Sequence, residues 1–185
     1  MTNKEKFIHN MHQARTAHIR WVNAIKLLVS GIDVDEKQIT LDATHSQFGV
    51  WYYNEAMLFS LGTSQLALED IETLLMELHD KYTKIYPIYY GNRKRNLLSE
   101  FLGGKTRASS HEIEFSQRYY EEIVQLSDKL KQKLRIFEAQ LMSLSDEKFD
   151  ELSHFTQQEK STPVVLEIKE VFEDKGAYHY GARGR

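Results

Sequence analysis

His18, His45 and His79 are the residues of this 185-residue sequence best placed to do chemistry. Each falls on a separate stretch of helical periodicity. His18 lies on the apolar stripe of the first, His45 at the start of the second, and His79 beside Leu75 and Leu78 on the third. Helical bundles hold metal ions when facing helices each contribute an inward ligand, so one histidine per helix points to a metal site. A single inward histidine is, by contrast, ordinarily a hydrogen-bonded core residue. The remaining donor set is narrow. There is no cysteine, which removes disulfides, thiolate nucleophiles, iron–sulfur clusters and sulfur-ligated zinc.

Other candidate chemistry is weaker. Asp33/Asp35 and Glu121/Glu122 lie in polar stretches and read as solvated surface. Gly103-Gly104-Lys105-Thr106 echoes a phosphate loop but lacks the preceding glycine and strand. Neither a nucleophile elbow nor the Glu-x-x-His pairs of a di-iron bundle occur. His111 with Glu112 and Glu114 reads as an acid-rich helix start, and His154 and His179 as exposed. Arg93-Lys94-Arg95 follows Tyr89-Tyr90, and the tail ends in Arg183-Gly184-Arg185, but both clusters are short. With 24 Lys+Arg against 27 Asp+Glu and a net charge of −3, no nucleic-acid partner is expected. No reaction is specified, and the expectation is a protein that is not an enzyme.

The elements that must position the histidines are helices. Two prolines and nine glycines leave room for long uninterrupted ones. Thr2 and Glu5 form a capping-box pattern, and Phe7, Met11, Ala14, His18, Trp21, Ile25 and Leu28 then step by three and four up to Gly31. A second helix is expected over about 44–61, carrying Phe48, Trp51, Tyr52, Met57 and Leu58. A third follows Thr63 or Ser64, with Ile71, Leu75, Leu78, Tyr82, Ile85 and Tyr89 on one seam. Pro87 should kink or end it. A short helix over Asn92–Leu102 and a hinge at Gly103-Gly104 are expected next. The most regular seam comes after: Tyr119, Ile123, Leu126, Leu130, Leu134, Phe137, Leu141 and Leu144 recur as in a heptad. Ser145 caps a helix to about Gln158, and Val164–Asp174 reads as a last one after Thr162-Pro163. The expected organisation is a helical bundle over 1–102, a helical extension over 105–175 with its long helix at about 110–144, and a flexible tail over 176–185. No apolar run reaches the length of a membrane span and no signal-peptide pattern opens the chain, so a cytoplasmic protein is expected.

The string His18-Ile19-Arg20-Trp21, then Ser46-Gln47-Phe48-Gly49-Val50-Trp51-Tyr52-Tyr53, then His79 deep in a third helix, resembles the chemoreceptor zinc-binding (CZB) domain family over about residues 5–90. The resemblance implies an all-α, antiparallel four-helix bundle of the kind found in bacterial chemoreceptors and diguanylate cyclases. It also implies a zinc site built from a first-helix histidine, a cysteine in a Cys-x-Phe/Leu-Gly-x-Trp motif, and a His-x-x-x-His pair. Trp21, Phe48, Gly49 and Trp51 are its scaffold residues. This chain departs at two ligands. Ser46 stands in the cysteine slot, and one histidine of the pair is replaced by Leu75 or by Thr83, with Leu75 preferred. A serine hydroxyl is a poor zinc ligand beside a thiolate.

Two outcomes for the cofactor remain open at this stage. Either no cofactor is bound, because the metal site has decayed into a His/Ser hydrogen-bonded core, or weak zinc or another metal is retained by His18, His45 and His79 beside Ser46. The function implied is a bacterial sensory or adaptor protein linked to chemotaxis or related signalling. The seam Tyr119–Leu144 is then the means of communication, by homodimerisation or docking onto a protein partner. Equally, it packs back on its own bundle. The alternative from another class is a structural, protein-interaction helical protein with no ligand.

Overall fold

The computed structural model describes residues 1–60, 62–91 and 108–161, with side chains through His154. Five α-helices and no strand occur among the described residues: α1 (Asn3–Val29), α2 (Gln47–Asn54), α3 (Gln65–Tyr90), α4 (Ser110–Met142) and α5 (Asp146–Ser161). The all-α expectation holds. The segments expected at Asn92–Leu102, Gly103-Gly104 and Val164–Asp174, together with the tail, lie outside the described residues.

α1 starts as its sequence requires. The Thr2 hydroxyl accepts from the Glu5 N–H, and the Glu5 carboxylate accepts from the Thr2 N–H. Its inward stripe buries Phe7, Met11, Ala14, His18, Trp21, Ile25 and Leu28. Gly31 ends it at φ +82°, where a residue with a Cβ would be strained.

The stretch from 32 to 46 has little helix but is well anchored. Val34, Ile39 and Ala43 are buried, and the Tyr90 hydroxyl and Trp21 indole N–H donate to the Val34 and Thr40 carbonyls. The second helix is shorter than expected. It begins at Gln47 because the Ser46 hydroxyl caps it, and it gives way after Asn54 to a 3-10 turn, Ala56–Phe59. Phe59 there packs on Phe7 and on Phe149 of α5.

α3 buries Leu68, Ile71, Leu75, Leu78, Tyr82 and Ile85. It runs through Pro87 to Tyr90, so the proline does not end it. Proline in the last turn leaves only the Thr83 carbonyl without its helical donor, and Gly91 N–H still closes on Pro87. α4, 33 residues and about 50 Å long, starts in a second capping box formed by Ser109 and Glu112.

One continuous core draws on all five helices. α4 packs most extensively on α3 and also on α1. Ile123, Leu130, Leu134, Phe137 and Leu141 are essentially without exposure, each burial being worth about 1.5–3 kcal/mol. Of the two roles left open for the Tyr119–Leu144 seam, packing back on the chain's own bundle is the one seen, with its inward residues buried against α3 and α1. A seam this apolar must be covered, and α3 and α1 cover it. Lys4 adds a polar tie by donating to the Met142 and Leu144 carbonyls at the end of α4.

Candidate functional site

The helical step of α1 sets His18 and Trp21 one turn apart on the inward stripe. His79 reaches the same region from α3, and its ring stacks on Trp21 at 4.6 Å between centroids. His18 is 4 % exposed, and its Nε2 shares a hydrogen bond of 2.9 Å with Ser127 Oγ of α4. Burial, reinforced by the His79 and Lys131 charges, pushes the His18 pKa down to about 4. His79 is lowered too, again through burial, although the Leu41 carbonyl and Asp42 work against the shift. Both imidazoles are therefore neutral near pH 7. His79 Nδ1–H donates to the Leu41 carbonyl at 2.9 Å, which leaves Nε2 as the nitrogen with the lone pair.

Ser46 is fully committed. Its hydroxyl accepts from the Gly49 N–H at 2.9 Å and donates to the Ala43 carbonyl at 2.7 Å. That geometry also accounts for Gly49. A Cβ there would sit 1.9 Å from the Ala43 oxygen, so only glycine admits the carbonyl. Phe48 and Trp51 flank it as core residues, Phe48 lying 5.8 Å from the His18 ring and Trp51 5.9 Å from Phe7. The Trp51 indole N–H is buried without an acceptor.

His45 does not join them. It is exposed, and its Nδ1 bonds the Asp42 carboxylate at 2.7 Å. The hydroxyl of Thr44, then His45, hold the Asp42 pKa down to about 2. A residue next to the buried Ser46 and outside the helix faces solvent here, so the expectation of three converging histidines is reduced to two. The two residues weighed for the missing histidine lie in different places. Leu75 is buried against the site, whereas the exposed Thr83 hydroxyl donates to the Asp80 carbonyl.

Together these residues floor a cleft of about 410 Å³. His18, Trp21, Phe48, Leu75 and His79 form its inner wall, and Arg20, Lys37, Gln38 and Gln47 its mouth. Its donors do not fit a zinc ion. His18 Nε2 is engaged with Ser127, the Ser46 hydroxyl with Gly49 and Ala43, and Leu75 offers no donor. Among the described residues, no three His, Cys, Asp or Glu side chains gather in reach of one cation.

Ser127 is the partner that sequence reasoning missed. Its signal was present: a serine four residues after Ile123 and seven before Leu134, on the inward side of an apolar seam. The same holds for Ser116, fully buried and bonded to Tyr89 at 2.8 Å. The His18–Ser127 pair has the residue types of a nucleophile and its base. Ser127 does not line the cleft, however, and a histidine with so low a pKa is a weak base. Comparison with protein-family models, with curated proteins and with solved structures finds no match.

Proposed function

We propose that the chain is a non-enzymatic sensory or signalling module of bacterial cytoplasmic type, related to the CZB domains. In this reading it is a four-helix bundle whose metal centre has become hydrogen-bonded core. The observation that supports it is the engagement of the donors at two of the resembled ligand places: His18 with Ser127, and Ser46 with Gly49 and Ala43. Internal partners at these places meet the demand of buried polar groups that a metal would otherwise meet. The His18–Ser127 bond also ties the former centre to α4, the longest helix.

Output runs through helix-mediated contact, and a second copy of this chain is the partner. With the inward seam of α4 covered, the contact falls to the outward residues Ile136 and Met142, 48 % and 57 % exposed. Light scattering on the full chain at micromolar concentration tests it. A dimer is expected, with Ile136→Glu yielding a monomer of unchanged helicity. A wild-type monomer, or a variant that stays dimeric, overturns this route of communication. No helix among the described residues is long and apolar enough to cross a membrane.

A further inference from the structure

The cleft above His18 and His79 has features that a decayed metal site does not require. α1 keeps it open with small residues on either side of Trp21, namely Ala17 and Ala24. Its volume, about 410 Å³, falls within the range of small-molecule sites. Two cations, Arg20 and Lys37, line the mouth, and among the described residues no acidic one lines the cleft. Neither side chain forms an ion pair among the described residues.

The nearby carboxylates are occupied elsewhere. Asp35 caps the turn through the Lys37 backbone N–H, Glu36 accepts from the Tyr86 hydroxyl, and Asp42 holds Thr44 and His45. Bonded in this way, these three carboxylates form no ion pair with Arg20 or Lys37 among the described residues. Behind the mouth lie the apolar side chains of Trp21, Phe48 and Leu75. At the same wall His79, 6 % exposed, presents Nε2 as an acceptor with no partner among the described residues, its Nδ1–H being donated to Leu41.

We propose that this cleft binds a small aromatic carboxylate that carries a hydroxyl or amino donor on the ring. The carboxylate lies between Arg20 and Lys37, the ring packs on Trp21 and Phe48, and the donor reaches His79 Nε2. Each part follows from chemistry. Two cations at one mouth, without an ion-pair partner among the described residues, attract an anion. An apolar wall excludes a hydrated ion such as free phosphate. A neutral imidazole with its N–H already used accepts and does not donate. The inference deepens the sensory reading and rests on it for its purpose, since it supplies a ligand where the metal is lost.

Calorimetric titration of the full chain with 4-hydroxybenzoate, followed in parallel by Trp fluorescence, tests it. A saturable heat is expected with a dissociation constant at or below about 1 mM. The doubly substituted Arg20→Gln/Lys37→Gln protein changes only exposed residues and should bind about tenfold more weakly. Two analogues make the test independent of any variant. Methyl 4-hydroxybenzoate lacks the charge, and benzoate lacks the donor. Both should bind at least about fivefold more weakly than the parent. Absence of heat at about 10 mM ligand overturns the inference, as does an ester that binds as tightly as the acid. A dimer that persists while no ligand binds sinks the ligand alone and leaves the signalling reading standing. Binding to a protein that is monomeric does the reverse.

Discussion

His18 Nε2 and Ser127 Oγ lie 2.9 Å apart in the core, joining α1 to α4 across 109 residues of sequence. Both side chains are buried, at 4 % exposure each. In such a place a hydrogen bond is worth less than the cost of losing one member, because the other is left without water or partner. The pair thus reads as a tie that both helices need.

Ser127→Ala should destabilise the protein by about 1–3 kcal/mol through the orphaned His18 nitrogen. Urea unfolding measures it. In the double variant His18→Leu/Ser127→Ala the two losses should not add, since each single change already breaks the same bond. Additive losses would show that the two side chains act separately.

Gly49→Ala should be damaging although alanine is the better helix former by about 1 kcal/mol. The new Cβ would meet the Ala43 carbonyl at 1.9 Å, and this oxygen is backbone that also accepts from Ser46. A net loss of about 2 kcal/mol or more is expected in thermal or urea unfolding. A variant as stable as wild type would mean that the 43–46 turn moves freely.

Stability should fall with acid in a defined window. The folded-state pKa of His18 is depressed from 6.5 to about 4, so the folded state holds the neutral ring and the unfolded state binds the proton first. The contribution is complete above about pH 6.5 and is lost progressively as pH falls toward 4, by on the order of 3 kcal/mol. His79 shifts in the same direction. The urea midpoint should drop between pH 7 and 5, above the range where most carboxylates titrate, and His18→Gln should flatten the slope. An equal slope in that variant would assign the effect elsewhere.

A zinc site should form when Ser46 and Leu75 are converted together. Ser46→Cys with Leu75→His supplies a thiolate and an imidazole beside His18 and His79, at the cost of a polar group in a packed site. After dialysis against micromolar zinc, elemental analysis should find about one ion per chain in the double variant and far less in wild type. Stoichiometric zinc in wild type would contradict the donor set described above.

Local pattern alone was enough for much of this protein. The stripe from Phe7 to Leu28 and the seam from Ile123 to Leu141 are periodicities carried within single helices, and they become buried faces as written. The caps at Thr2 and Ser109 and the stop at Gly31 depend on neighbours within four residues, so they too were legible or readable. His18, Trp21, Phe48 and Trp51 could be named as inward by the same reasoning. What the seam of α4 would meet was not readable, because an apolar stripe demands cover without naming its source. The tertiary structure supplies α3 and α1. Likewise the direction of His45, the commitment of the Ser46 hydroxyl to Ala43, and the pairing of His18 with Ser127 depend on where the irregular stretch from 32 to 46 and a distant helix come to rest. Spacing along one helix places a donor on a face, whereas a site needs several donors to converge. Only the packing of separate elements decides that convergence, and here it gathers two imidazoles, a capped serine and a leucine around a cleft with a positive mouth.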